Sequence, residues 1–145
     1  MNLLKQIYHS KYFPRLFYTK PDGGNDSGVT AYFLIEWKIL FSIGILKFNE
    51  GSREAYHSHA FNALTWWICG MATESRLVEE HVWMRYSWTN YKRSWKPKHT
   101  TRDNLHKVVA HTKSWAFTIR GPWEDTWYEY KNGEKITLTH RRKVI

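Results

Sequence analysis

From Val29 to Thr139 the chain is a succession of short runs rich in β-branched and aromatic residues, and this constrains its fold more than any other feature. The runs are Ala31 to Trp37, Ile39 to Phe48, Ala63 to Cys69, Arg76 to Tyr86, Leu105 to Val109, Trp115 to Ile119, Trp127 to Tyr130 and Lys135 to Thr139. Each is strand-length, and Asn49-Glu50-Gly51, Gly121-Pro122 and Asn132-Gly133 break the series with turn formers. The Asn-Gly pair between Tyr130 and Lys135 predicts a tight hairpin, whose central residues need positive φ. Seven or eight strands so spaced predict an all-β antiparallel barrel or sandwich, because a sheet of this length must cover its edges. Nine tryptophans in 145 residues imply a core of large flat side chains, which strands accommodate better than short helices. Of the adjacent Trp66 and Trp67, one is expected to face inward and the other a second layer.

Upstream, Leu3, Leu4, Ile7 and Tyr8 fall at helical spacing and predict a short opening helix. Pro21 to Gly28 is a run of turn formers with no apolar residue, a loop long enough to act as a lid. No Gly-Lys-Ser/Thr follows it, which argues against a phosphate-binding loop. Residues 1–28 are thus expected to pack as helix and loop on one domain, 29–145, since the length suits a single core. A lone cysteine, Cys69, excludes an internal disulfide and any cysteine-based metal centre, so a metal would need His, carboxylate or amide ligands. Cys69 itself reads as a small buried hydrophobe. No apolar run nears the roughly 18 to 20 residues of a membrane-spanning helix, and Met1 to Lys20 lacks the apolar centre of a signal peptide. A cytoplasmic protein with no membrane partner is the expectation.

The formal charge of +9 sits mainly in the second half, where Met71 to Ile145 holds 15 basic and 8 acidic residues. Such a surface attracts anions, with a small molecule favoured over nucleic acid. Lys92, Arg93, Lys96, Lys98, Arg102 and Lys107 lie interleaved with Tyr91 and Trp95, either as a solvated basic loop or as an anion or single-strand surface. Within it Lys96, Lys98 and Arg102 are the candidate anion-binding residues. Glu79 and His81 share a strand face, and Glu124 and Asp125 share a loop; solvent exposure explains both pairs as well as acid/base chemistry does. His99, His111 and His140 stand in polar surroundings and read as surface residues.

His57-Ser58-His59 carries the most chemistry, because histidines at i and i+2 of a strand point to one side and can present two imidazoles to one ion. Gly51, five residues, His57-Ser-His59 and then Gly70 resemble the first motif of the cupin superfamily: Gly, five residues, His-x-His, three or four residues, Glu, six residues, Gly. Ala63 stands where that motif has its glutamate. Arg102 to Val108, containing His106, is similar to the second motif without its Pro-x-Gly. These segments, with Trp115 to Pro122 and Trp127 to Tyr130, look like small single-domain cupins often encoded by tailed bacteriophages, which would place the chain in a host cytoplasm.

The resemblance implies a single cupin-type antiparallel β-barrel, or jelly roll, with His57, His59 and His106 converging on one divalent transition metal: Fe, Mn, Ni, Cu or Zn. It implies a metalloenzyme, oxygenase-like or otherwise metal-assisted, that acts on an anionic small molecule. Asn62 is the candidate fourth ligand or water-binding residue, and Asp103 could orient His106. The alternative is a non-catalytic cupin module that captures a nucleotide-like ligand or a host protein. Pairing through an outer strand, as a homodimer, is a further implication.

Overall fold

The structure, a computed structural model, describes residues 3–8, 10–24, 26–52, 55–80, 83–142 and 144–145. Among the described residues one short α-helix, α1 (Leu3–Tyr8), precedes twelve strands, and a 3-10 turn (His140–Arg142) follows them. Six form one antiparallel sheet in the order β1 (Arg15–Pro21), β2 (Val29–Trp37), β3 (Phe41–Phe48), β10 (Ser114–Arg120), β5 (Ala63–Cys69) and β8 (Lys98–Thr100). Opposite lie β4 (Gly51–Ser52), β9 (His106–Ala110), β6 (Ala72–Glu80) and β7 (Trp83–Tyr91), with the hairpin β11 (Thr126–Lys131) and β12 (Glu134–Thr139). His57 joins these two groups by bridging to His106 of β9 on one side and Glu129 of β11 on the other. The result is a two-layered antiparallel jelly roll.

Between the layers, Ala31, Phe33, Leu46, Phe48, Trp67, Ala72, Ala110 and Ala116 make one buried apolar cluster; Ala60, Phe61, Ala63, Trp127 and Leu138 make another. Alanine recurs where strands of the two sheets approach, and the space between is filled by Phe and Trp rings: Phe48 and Trp67 meet at 5.1 Å, Trp67 and Tyr91 stack at 5.3 Å. Gly70 must remain glycine. It turns β5 into β6 with φ of 90°, and an added Cβ would sit 2.2 Å from Ser114 Oγ. The Asn132-Gly133 turn has positive φ at both residues, as its hairpin geometry requires.

The strands follow the expected runs closely, and the main differences lie in β1, β6–β7 and β8. Arg15–Pro21 is not part of a segment outside the barrel; it pairs with β2 as an edge strand of the six-stranded sheet. The run Arg76 to Tyr86 is two strands, β6 and β7, because no Gly, Pro, Asn or Asp marks the change of direction between them. The basic segment also contributes β8, which pairs with β5. As for α1, Leu3 and Leu4 are 68% and 72% exposed, so the helix does not bury its apolar side as expected.

Candidate metal centre

His57, His59 and His106 present ring nitrogens that all lie within 4.8 Å of one another. Their ring centroids are 4.9 to 5.0 Å apart, and His59 Nε2 is 2.7 Å from His106 Nε2. The backbone brings two of the three together directly: His57 N–H donates to His106 O at 2.9 Å and His106 N–H donates to His57 O at 3.0 Å. Between Ser52 and His57 the chain advances five positions while its partner β9 advances three, from Val109 to His106. That irregularity resets the register so that His57 meets His106. His59 follows on the same side and stacks on Phe61 at 5.2 Å.

His106 is 6% exposed, and its Nδ1 contacts the carboxylate of Glu74, which is fully buried. Burial pulls the His106 pKa down, and Glu74 opposes this without reversing it. Burial thus favours the neutral ring, whose Nδ1–H donates a hydrogen bond to the Glu74 carboxylate and whose Nε2 is left facing His59. A carboxylate behind the imidazole is the arrangement that orients a metal-binding histidine and raises its basicity. Glu74 also contacts Lys98, accepts from Tyr91 OH at 2.6 Å and lies 3.5 Å from Arg76 Nε. Burial raises its pKa, but His106 and Lys98 hold the carboxyl well below the usual range, so it is ionised.

The donor set fits a divalent metal. Metal–nitrogen bonds are roughly 2.0 to 2.1 Å, so three nitrogens within 4.8 Å of one another can share one ion. A fourth protein ligand is absent among the described residues. Ala63 offers a methyl group, and Asn62 corrects the expectation placed on it: it is exposed, and its Oδ1 accepts from Arg102 N–H at 2.8 Å. Its side chain ties down the loop before Asp103 instead. Three imidazoles with open positions suit a reactive centre rather than a closed structural one.

The histidines stand on the wall of a cavity of about 610 Å³ between the sheets. Arg15, Lys20, Lys38, Lys98, Arg120 and Arg142 line it, with Asp22 as its single lining carboxylate among the described residues. Arg120, 3% exposed, lies between the Phe33 and Phe61 rings and binds Asp22 through both guanidinium ends, at 3.1 and 2.6 Å. Burial works against the Asp22 charge, but Arg120 lowers its pKa to about 2. Glu36, 1% exposed, contacts Arg15 at 2.6 Å and Lys20. Three donors on cavity-lining residues, Trp67 Nε1, Trp123 Nε1 and Arg120 Nε, are buried without a hydrogen-bond partner.

The three candidate anion-binding residues have separate partners: Lys98 contacts Glu74 and Arg102 pairs with Glu124 at the surface, while the exposed Lys96 lines a small surface pocket with Lys92, Arg93 and Lys98. The cations that surround the cavity come mostly from β1, the β2–β3 turn and β10, where no charge cluster is visible in sequence. Asp103 is exposed, and Glu74 takes the orienting role imagined for it. Its signal was an acidic residue at an inward position of β6, two places before the run that sequence reading recognised as strand. His140 lines the cavity beside Trp123, and Cys69 is exposed, both against expectation. Trp67 faces the cavity while Trp66 faces outward. Asp125 pairs with Lys11 at 2.7 Å. His81 and the side chain of Glu79 lie outside the described residues.

No protein-family model and no curated protein matches the sequence, but solved structures match the fold. Oxalate oxidase in complex with the substrate analogue glycolate superposes with a TM-score of 0.53 at 14% identity, over 71% of this chain and 56% of that one. Oxalate decarboxylase from Bacillus subtilis gives 0.55 at 12%, over 86% of this chain and 31% of that one. A protein of unknown function from Streptococcus pyogenes gives 0.52 at 10%, over 76% and 96%. The chain spans about half the length of the oxidase and a third of the decarboxylase. At these identities the likeness defines the fold, a cupin-type jelly roll. No helix among the described residues is long and apolar enough to cross a membrane.

Proposed function

We propose that this chain is a small metal-dependent cupin whose His57, His59 and His106 hold one divalent transition metal and whose cavity takes an anionic small molecule. The observation that carries the reading is the meeting of three imidazole nitrogens on a cavity wall, one of them oriented by a buried glutamate. When bound, the metal would supply Lewis acidity and, for iron, manganese or copper, electron transfer. The chain's own residues do the rest. Arg120 and the neighbouring lysines set a positive potential that draws in an anion, and the unpartnered Trp67, Trp123 and Arg120 N–H groups call for acceptor atoms. Phe61, Trp123 and Trp127 limit water and strengthen every charge interaction inside.

The two structural neighbours named for oxalate act on a two-carbon acid. This cavity, of about 610 Å³, has room for a larger anion. One observation favours a second reading: with Ala63 in place of the motif's carboxylate, the site could hold metal and ligand without turnover, as a binding module.

Elemental analysis of protein purified without a histidine tag tests the metal. One metal per chain in the wild type and none in His57→Ala or His106→Ala supports the proposal; a wild type that binds no transition metal on reconstitution sinks it. Metal-loaded protein is then incubated with a panel of carboxylates and nucleotides, with products read by mass spectrometry. A ligand that binds and returns unchanged assigns the chain to the second reading.

A further inference from the structure

Trp83 to Arg102 holds no Asp or Glu, and this segment carries the chain from β7, at the edge of the four-stranded group, to β8, at the edge of the six-stranded sheet. The loop between them is pinned. Ser94 N–H donates to Trp67 O at 3.0 Å, Ser94 Oγ accepts from Lys96 N–H at 3.1 Å, and Pro97 fixes the backbone before β8. Held in this way, Lys92, Arg93, Lys96 and Lys98 line a surface pocket of about 360 Å³ with no acidic residue on its walls. Lys92, Arg93 and Lys96 make no ion pair among the described residues, and Lys98 has only Glu74, which it shares with His106 and Arg76.

We infer that this pocket is a second anion site, outside the central cavity, for a compact phosphate group, and that its occupation is transmitted to His106 through Lys98 and Glu74. Charge selects the ligand. Like charges fixed on one loop repel, and a single multivalent anion relieves that repulsion more than a monovalent carboxylate does. A phosphate ester carries about −1.5 to −2 charge near pH 7 and three strong acceptor oxygens, which suits a ring of Lys and Arg donors. The donors surround a pocket instead of lying along a groove, so they fit one compact group better than the spaced phosphates of a nucleic-acid strand. Beside them Trp95 is 85% exposed, with the Arg93 guanidinium 5.5 Å over its ring, which offers a base a surface to stack on.

The link inward follows from a shared wall. Trp67, Tyr91 and Lys98 line both this pocket and the central cavity. Two of them reach the same carboxylate: Lys98 contacts Glu74, and Tyr91 OH donates to it at 2.6 Å. An anion that draws on the Lys98 ammonium loosens its hold on Glu74 and leaves the carboxylate more strongly engaged with His106 Nδ1. If the metal centre proposed above is correct, a more basic His106 then holds the ion more tightly; the pocket and the link do not depend on that reading.

Calorimetry of the metal-free, full-length protein with inorganic pyrophosphate tests the site. The wild type should show a pyrophosphate site that weakens as salt rises. Lys92→Ala/Lys96→Ala, which leaves Lys98 and Glu74 in place, should weaken it by about tenfold or more, while Arg102→Ala, outside the pocket, should match the wild type. ADP separates the sources of phosphate: tighter binding that Trp95→Ala removes means a nucleotide stacked on that ring, and equal binding means phosphate alone. Nitrogen NMR of the histidine rings in the same metal-free titrations reads the link. The His106 resonances should move with the calorimetric midpoint in the wild type and stay still in the double variant. No uptake at low salt, or uptake that the double variant keeps in full, overturns the site. His106 resonances that stay still while the pocket fills overturn the link.

Discussion

Among the described residues, Glu36 in one layer of the jelly roll and Glu74 in the other are at most 1% exposed, and the two do opposite work. Glu36, on β2, is packed against the buried Arg15 and the half-buried Lys20, so that one carboxylate faces two cations and the wall keeps a positive surplus. Glu74, on β6, is packed against Lys98, Tyr91 and His106, and its effect is to fix which nitrogen of His106 carries the proton. The residue type and the burial are the same. What differs is the partner: a permanent cation turns the glutamate into a counter-ion, whereas a titratable ring turns it into a positioning residue.

Breaking Glu36 should cost most. Glu36→Ala leaves Arg15 and Lys20 facing each other in a dry wall, and loss of one member of a buried ion pair typically destabilises by about 3 to 5 kcal/mol. Chemical denaturation measures it, and a loss below about 1 kcal/mol would mean that the cations relax into solvent. Glu74→Gln should be gentler on the fold and harder on the site. The amide can still contact the ring, but metal affinity should fall by about 10- to 100-fold, read by competition with a chelator. Unchanged affinity would show that His106 needs no orienting group.

A smaller effect is expected from the second acid on the cationic wall. Asp22 has its pKa lowered from 3.8 to about 2, so its contribution is complete above pH 3.8 and disappears as pH falls toward 2. That shift corresponds to about 2 kcal/mol at most. The difference in thermal midpoint between wild type and Asp22→Asn should therefore shrink with acidification across that window; a difference that stays constant would refute the pairing with Arg120. Least of all should follow from Arg102→Ala. Its partner Glu124 is largely exposed, and such surface pairs contribute about 0 to 1 kcal/mol. Stability and metal content should both stay within error.

The sequence revealed the three histidines that cluster and concealed what positions them. His57 and His59 are legible because strand geometry alone puts i and i+2 on one side, and His106 because it begins a recognisable strand. Glu74 was hidden by the β6–β7 hairpin, whose run Arg76 to Tyr86 reads as continuous, without Gly, Pro, Asn or Asp, so that inward and outward positions of β6 could not be told apart. Lys98 was misread as a solvent-facing cation for a related reason: β8 is three residues long, too short for alternation to show. The orientation of β10 was equally illegible. Alternation shows two faces, but only burial in the fold shows that Ser114, Ala116, Thr118 and Arg120 look inward.

The paired hydrogen bonds between His57 and His106 give the centre a property that its side chains do not. Two of its histidines are anchored to a single hydrogen-bonded rung, where Cα atoms are held about 5.5 Å apart whatever the residues are. The scaffold thus behaves as a socket with interchangeable contacts. Replacing His57 by aspartate or cysteine changes the hardness of the ligand, and with it the preferred ion, while the rung keeps its span. A lineage, or an engineer, could move such a protein from one metal to another by single substitutions, without first solving the fold again.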